Sequence, residues 1–96
     1  MTTDIDMNKA LGAVLRRERV RQGNNLRTIS TNAYVALGYL SEVERGRKNP
    51  SPEILKNICS ALGVTLPELL RATANHMENM EEKYVQVRRV QEKNHS

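Results

Sequence analysis

Two short helical patterns, separated by a very short turn, constrain the fold of this chain more than any other feature. The first covers residues 26–32 and the second residues 37–45, and each repeats apolar residues at the spacing of one helix face. The segment "AYVAL" between them leaves room for only three or four turn residues. Two short helices joined in this way are typical of a helix-turn-helix. The inward positions are Leu26, Ile29 and Ala33 in the first helix and Leu40 and Val43 in the second.

Helix start and stop signals place three further helices around this pair. Capping side chains or proline stand where each helix would begin, and glycine stands where three of the helices would end. The start signals are Asp4, Asp6 and Asn8, then Ser51 with Pro52, and then the T-x-x-E capping box of Thr65 and Glu68. The stop signals are Gly23, Gly46 and Gly63. The predicted fold class is therefore all-α with five helices. Residues 1–70 are expected to form the helix-turn-helix domain, and residues 71–96 a C-terminal helix with a frayed end.

The composition excludes several classes of function. The chain has 96 residues with no Trp, no Phe and three Tyr, so single-stranded nucleic acid could not stack on aromatic platforms. The single cysteine, Cys59, forms no intramolecular disulfide and is expected in the core. No Cys/His cluster has the spacing of a zinc site, and no cofactor is predicted. No apolar run could span a bilayer or serve as a signal peptide, so the expected location is the cytoplasm.

The positive charge is concentrated in the first two thirds of the chain. Residues 1–65 hold ten Lys and Arg against six Asp and Glu, whereas residues 66–96 hold five of each. The densest runs are "RRERVRQGNNLR" and "RGRK". Charge of this kind could simply be a solvated surface. Combined with a helix-turn-helix it indicates a nucleic-acid partner.

The exposed side of the second helix of the pair is suited to the major groove of double-stranded DNA, which admits one helix. Because two of its apolar residues point to the core, the residues on its other side would face the bases. The predicted base-reading residues are Leu37, Gly38, Ser41 and Glu42. The predicted phosphate contacts are Asn25, Arg27, Tyr39, Arg45, Arg47 and Lys48.

Several of these residues have a structural alternative. Leu37 could belong to the core, and Glu42 could be a solvated charge or an internal salt-bridge partner. Tyr39 could lie at the edge of the core or on a phosphate, and the sequence does not separate the two. Three arginines of the first helix are expected only to solvate it; these are Arg16, Arg17 and Arg21.

The fifth helix carries a heptad seam. After its start no glycine interrupts the chain, and the seam positions alternate four and three residues apart. A seam of more than three repeats predicts pairing with a second copy of the chain. The alternatives are that the helix folds back on its own domain or frays. The seam consists of Leu66, Leu70, Thr73, Met77, Met80, Tyr84, Val87 and Gln91, and its apolar members are the predicted dimer contacts.

An enzyme is the weakest interpretation of this sequence. The serines have no histidine near them in sequence, and both His76 and His95 lie in the C-terminal helix, where His76 is expected at the surface. There is no Gly-rich phosphate loop and no clear pair of carboxylates. The serious competitor is a protein-binding module, such as an antitoxin-like chain or a bridging adaptor. The dense basic loop "RKNPS" favours DNA, because an adaptor has no need to concentrate Arg and Lys there.

The segment "LRRERVRQGNNLRTIS…YVALGYLSEVERGRKNPSPEILKNICSALGVTLPELL" resembles the Cro/C1-type (XRE-like) helix-turn-helix regulators. The likeness covers about residues 11–70. The runs "YLSEVERGRKNPS" and "ALGVTLPELL" stand at the separation expected for that family. More narrowly, "VALGYLSEVERGRK" is similar to the actinobacterial regulators of Clp protease genes, which are transcriptional activators.

The resemblance implies a lambda-repressor-like DNA-binding domain that acts as a homodimer on a palindromic operator, with RNA polymerase as a further partner of an activator. It also implies that Arg19 and Glu44 form a structural ion pair. Three positions depart from the family pattern. Leu26 replaces a frequent glutamine, Tyr34 replaces a glycine of the turn, and Ala36 removes a Ser or Thr cap. Either the turn differs at Tyr34, or that residue has a strained φ.

Overall fold

The computed structural model describes the backbone of residues 6–95 and the side chains of residues 6–80. Within this range the chain forms five helices and no strand, which confirms the predicted all-α class. None of these helices is both long enough and apolar enough to cross a membrane. The helices are α1 (Met7–Arg21), α2 (Leu26–Ala33), α3 (Leu37–Glu44), α4 (Pro52–Leu62) and α5 (Leu66–His95).

Side-chain caps fix the starts of four helices. Asp6, Asn25 and Ser51 each accept a hydrogen bond from a backbone N–H in the first turn of α1, α2 and α4. At α5 the predicted capping box is present. The N–H of Thr65 donates to the Glu68 carboxylate at 2.7 Å, and the N–H of Glu68 donates to the Thr65 hydroxyl at 3.1 Å. These caps explain why the helix starts could be predicted from sequence.

The turn between α2 and α3 contains a strained residue. Tyr34 has a φ of 59°, in the left-handed region, and is the only non-glycine residue of the described backbone with a positive φ. Its side chain is 91% exposed, so contacts within the chain do not offset that strain. α3 then begins without a side-chain cap, because Ala36 has none to offer. Two of the three departures from the family pattern therefore lie directly before α3.

An aliphatic core joins the first four helices. The largest fully buried side chains come from all four of them, and the inward positions predicted for α2 and α3 are buried, apart from the partly buried Leu26. α1 and α3 approach so closely that a Cβ at Gly12 would lie 2.5 Å from the carbonyl oxygens of Val43 and Glu44. The close crossing fixes the orientation of α3 against α1. The fully buried side chains are Leu15, Ile29, Leu40, Val43 and Ile58.

The first turns of α5 pack against its own domain. Leu69, which is not in the heptad seam, is buried, and so is the seam residue Thr73, whose hydroxyl donates to the Leu69 carbonyl at 2.8 Å. Leu66 is partly buried against the same core. The packed domain thus extends to Thr73, and Leu70 and Met80 remain exposed. The side chains of the seam residues Tyr84, Val87 and Gln91 lie outside the described residues.

Candidate nucleic-acid interface

α3 presents one face outward because Leu40 and Val43 anchor its other face in the core. We call the outward residues the reading face; Leu37 and Gly38 are exposed, whereas Ser41 and Glu42 are half-buried. A Cβ built at Gly38 has no heavy atom within 4 Å, so the space outside α3 is open there. A second surface can therefore come close to the backbone of this helix. The reading face consists of Leu37, Gly38, Ser41 and Glu42.

Glu42 stands between two arginines. Its carboxylate lies 3.7 Å from the Arg45 guanidinium and 3.9 Å from that of Arg47, too far for hydrogen bonds. The two guanidinium groups are 61% and 67% exposed. Exposed pairs at this distance contribute little to stability, so they can separate at low cost. Glu42 is thus a loose salt-bridge partner, as the alternative for it anticipated, and it remains available to other groups.

The basic loop, residues 47–51, follows α3, and its first residue is hydrogen-bonded to that helix. The N–H of Arg47 donates to the Glu42 carbonyl at 2.9 Å, and Pro50 is buried. Gly46, at a φ of 77°, lies against Lys9 of α1, where a Cβ would come within 2.7 Å of the Lys9 Cα. The side chains of Arg47 and Lys48 are exposed beside the reading face. The Arg47 end of the loop is therefore held by α3, while the cationic side chains are exposed.

The start of α2 offers a second set of exposed polar groups. Asn25 uses its side-chain oxygen as the helix cap, accepting from the N–H and the hydroxyl of Thr28 at 2.8 and 2.9 Å. Its amide NH₂ is the group left to donate outward. Arg27 is exposed. Tyr39 is half-buried and packs against the core, and its contact with a phosphate stays a prediction.

The ion pair between Arg19 and Glu44 joins α1 to the end of α3. Arg19 donates from Nε and Nη2 to the two carboxylate oxygens of Glu44 at 2.7 and 2.9 Å. Its Nη1 donates to the backbone carbonyl of Asn24 at 3.0 Å. The hydrogen bonds to Glu44 raise the pKa of Arg19 above its ordinary value. One guanidinium thereby connects α1, the turn before α2, and α3.

A cavity of about 280 Å³ lies beside this ion pair. It is bounded by α1, by the first residue of α2, and by the same side of α3 that carries Ser41. Sequence reasoning missed it, because Arg16 was assigned only to the solvation of α1. The signal that could have found it is the repeat of arginine at positions 16 and 19, on one face of the helix. The lining residues are Arg16, Arg19, Leu26, Ser41, Glu44 and Arg45.

Cys59 and His76 are the remaining candidate groups among the described side chains. Among the described residues no group of three or more His, Cys, Asp or Glu side chains could hold a metal ion. Cys59 is buried, and burial raises the pKa of its thiol above the ordinary value. A buried protonated thiol is a poor nucleophile and behaves as a small apolar residue. His76 is half-buried on α5.

Comparisons with known proteins agree with this geometry. A family model described as "Helix-turn-helix" (HTH_3) matches residues 15–69. The transcriptional regulator ClgR of Mycobacterium tuberculosis is 47% identical over 75 residues, which cover 78% of this chain and 67% of that protein. The crystal structure of the clp gene regulator ClgR from Corynebacterium glutamicum matches with a TM-score of 0.79 and 39% identity, over 93% of this chain and 94% of the other. The restriction-modification controller protein C.AhdI of Aeromonas hydrophila matches with a TM-score of 0.63 and 27% identity, over 65% of this chain and 94% of the other.

Proposed function

This chain belongs to the helix-turn-helix family of DNA-binding transcriptional regulators, and we propose that it binds a palindromic operator as a homodimer and activates Clp protease genes. The observation that carries the mode of binding is that exposed cations lie on two chain elements next to the reading face. Arg27 is in the first turn of α2, whose first residue lines the same cavity as Ser41, and Arg47 lies 3.9 Å from Glu42 in the loop that also carries Lys48. Cations on elements next to a groove-sized helix suit the phosphate backbones that border a major groove.

The reading face itself offers few groups for base recognition. Leu37 would contact a thymine methyl group, and Glu42 would accept from a cytosine amino group. Ser41 can donate or accept. The phosphate contacts would therefore supply most of the affinity, and part of the specificity would come from the shape of the DNA.

The choice of target genes rests on similarity to the two ClgR proteins. Activation would also require a contact between this protein and RNA polymerase. A bacterial regulator of this kind would act in the cytoplasm, where the chromosome lies.

The first experiment is selection from a random duplex library with the full-length protein at near-physiological salt. We expect enrichment of a palindrome whose half-sites are about one helical turn apart. The enriched sequence would then be sought upstream of Clp protease genes. If only weak, salt-sensitive and sequence-independent binding were found, the proposal of an operator would be wrong and a protein-binding role would be favoured.

Two substitutions separate base reading from phosphate contact. Glu42→Ala should shift the sequence preference with little loss of affinity for random duplexes. Arg47→Ala should weaken binding to all duplexes about equally and flatten the slope of log affinity against log salt by about 1. If the two variants behaved alike on specific and random DNA, the assigned roles would be wrong.

The homodimer is proposed to form through the exposed part of α5. Leu70 and Met80 are 51% and 45% exposed, and Met77 is half-buried between them along the helix. Apolar side chains in a stripe on a long helix favour burial against a partner. Tyr84 and Val87 would extend the same seam beyond the described side chains.

Dimerisation can be tested without shortening the chain. Met80→Glu places a charge in the proposed interface, whereas Asn79→Glu adds the same charge at the neighbouring exposed position, off the seam. In sedimentation at micromolar concentration, we expect the first variant to be monomeric and the second to remain dimeric. Leu70→Glu should repeat the effect of Met80→Glu. If all three variants sedimented as dimers, the seam on α5 would not be the interface.

A further inference from the structure

The cavity beside the Arg19–Glu44 pair is positively charged. Three arginines line it, Arg16, Arg19 and Arg45, together with one acidic residue, Glu44. The carboxylate accepts two hydrogen bonds from Arg19 at 2.7 and 2.9 Å, which satisfies its charge. The charge of Arg16 therefore remains for the cavity, together with that of Arg45, whose one acidic contact is the loose one with Glu42 at 3.7 Å.

The donors of these two arginines are available, unlike those of Arg19. All three nitrogens of the Arg19 guanidinium donate within the protein, to Glu44 and to the Asn24 carbonyl. Arg16 is exposed and makes no ion pair among the described residues, and Arg45 has only the loose contact with Glu42 at 3.7 Å. The Ser41 hydroxyl adds a neutral donor at the same cavity. Such a set of donors suits a group with several anionic oxygens.

The position of the cavity indicates which anion it would receive. Ser41 belongs to the reading face, one helical turn after Leu37, and Leu26 follows directly after the cap of α2. The cavity is therefore continuous with the surface proposed to bind DNA. An anion held there would lie at the border of the groove that α3 enters, where the phosphates of the duplex backbone run.

We propose that this cavity holds one phosphodiester group of the DNA backbone, bound by Arg16 of α1 together with Arg45 and Ser41 of α3. The inference rests on the proposed DNA-binding function and adds α1 to the interface. It also changes the role of Ser41, which would position the protein on the backbone instead of reading a base. Arg19 and Glu44 would form the wall of the cavity and remain structural.

The chain supplies a matched control for this proposal. Arg17 is the next residue of α1, is also exposed, and lines a different groove, between α1 and α5. Arg16→Gln and Arg17→Gln therefore remove the same charge from adjacent residues that line different surfaces of the protein. Any difference between them in DNA binding reports local geometry, because their effect on the net charge is identical.

Binding of the full-length variants to the selected operator and to a random duplex would be measured by fluorescence anisotropy across a series of salt concentrations. We expect Arg16→Gln to weaken both complexes by roughly tenfold and to reduce the salt slope by about 1, as loss of one charged phosphate contact does. Arg17→Gln should stay within about twofold of the wild type with an unchanged slope. Thermal unfolding of each variant checks that both remain folded.

A scan of the operator with single uncharged methylphosphonate linkages would identify the phosphate. At one linkage per half-site, the substitution should weaken the wild type and Arg17→Gln but should not weaken Arg16→Gln further. The inference would be overturned if the two glutamine substitutions had equal effects, or if no position of the methylphosphonate scan depended on Arg16. Either result would leave the proposed function intact. If the wild type bound no duplex, the proposed function itself would fail.

A free phosphate ion offers the same chemistry as the backbone, and it can be distinguished. Inorganic phosphate would be added to the protein without DNA at constant ionic strength. One outcome would contradict the proposal: phosphate raises the unfolding temperature of the wild type but not that of Arg16→Gln, and the two proteins bind the duplex equally. The cavity would then be a site for a free anion. No effect of phosphate on the free protein, with the duplex results above, supports it.

Discussion

The ion pair between Arg19 and Glu44 should be a main determinant of stability, and a double-mutant cycle can measure its contribution. The pair connects α1 to the end of α3 through two hydrogen bonds, and its side chains are only 14% and 8% exposed. We consider Arg19→Met, Glu44→Leu and the double variant. Met and Leu fill similar volumes without charge, so they remove the interaction with little loss of packing.

Each single substitution should be more harmful than the double one. Arg19→Met leaves a nearly buried carboxylate without its partner, and Glu44→Leu leaves a guanidinium whose remaining acceptor is the Asn24 carbonyl. Removing one member of a buried pair costs about 3–5 kcal/mol, whereas apolar replacement of both is often close to neutral. The double variant also loses the bond to Asn24, a further cost of about 1 kcal/mol. Since a chain of 96 residues has about 5–14 kcal/mol of stability, either single variant should lose at least about a fifth of it.

The assay is urea unfolding followed by circular dichroism for the wild type and the three variants. It should be repeated at several protein concentrations, because dimer formation would add to the apparent stability. We expect the midpoint of the double variant to lie between that of the wild type and those of the single variants. The reasoning would be refuted if each single variant lost less than about 1 kcal/mol of unfolding free energy and the two losses summed to that of the double variant. Water would then screen the pair.

Three other substitutions test particular contacts. Gly12→Ala should lower the free energy of unfolding by about 1–3 kcal/mol or more, because the alanine Cβ would lie 2.5 Å from two backbone carbonyl oxygens. An unchanged midpoint in urea unfolding would contradict the close crossing of α1 and α3. Tyr34→Gly should raise the free energy of unfolding by about 0.5–1 kcal/mol, because it relieves a left-handed φ of 59° in an exposed residue, and calorimetry showing a lower melting temperature would contradict this. The hydrogen bond from the Thr65 N–H lowers the pKa of Glu68 below its ordinary value of 4.5. The ionised carboxylate therefore stabilises the fold at pH values above 4.5, and this contribution is lost as the pH falls through the lowered pKa. Unfolding of Glu68→Gln should therefore depend less on pH in that acidic range, and identical pH profiles would contradict the capping box.

The helices could be predicted from sequence because their limits are encoded locally. Asp6, Asn25 and Ser51 have side chains that can cap the N–H groups two or three residues ahead, whatever the rest of the chain does. Gly63 ends α4 in the left-handed conformation for an equally local reason. The strained φ of Tyr34 could be stated only as one of two possibilities. The sequence shows that glycine is missing from the turn, but not whether the turn changes or the tyrosine takes the strain.

The site was harder to predict, because its members depend on tertiary approach. The charge of Arg16 looked like ordinary solvation of α1, and only the approach of α2 and α3 places Ser41 and Arg45 beside it. Glu42 had several possible roles in the sequence, and the structure adds its distances of 3.7 and 3.9 Å to Arg45 and Arg47. These distances describe the free protein. The role of Glu42 on DNA remains a prediction.

The seam on α5 shows most clearly what a local pattern leaves open. A repeat of apolar residues indicates that one helix face is buried, but it does not say whether the covering surface belongs to the same chain. Here the early turns bury Leu69 and Thr73 in their own domain, while Leu70 and Met80 stay exposed. Cutting the chain after Ala72 would therefore remove a core residue together with the proposed interface. Loss of the dimer in such a fragment could not be separated from damage to the fold.

The division of α5 between two surfaces also affects how a dimer would hold DNA. α1 contacts α3 at Gly12 and contacts the early turns of α5, so a single rigid helix connects the reading face to the exposed stripe. In a dimer formed through Leu70 and Met80, packed side chains would then set the separation of the two reading faces, with no flexible linker between them. A rigid separation accepts only one spacing of half-sites, since each added base pair also rotates the second half-site around the duplex axis. The packing of α5 on its own domain would thus contribute to specificity through the number of base pairs that separate the two half-sites.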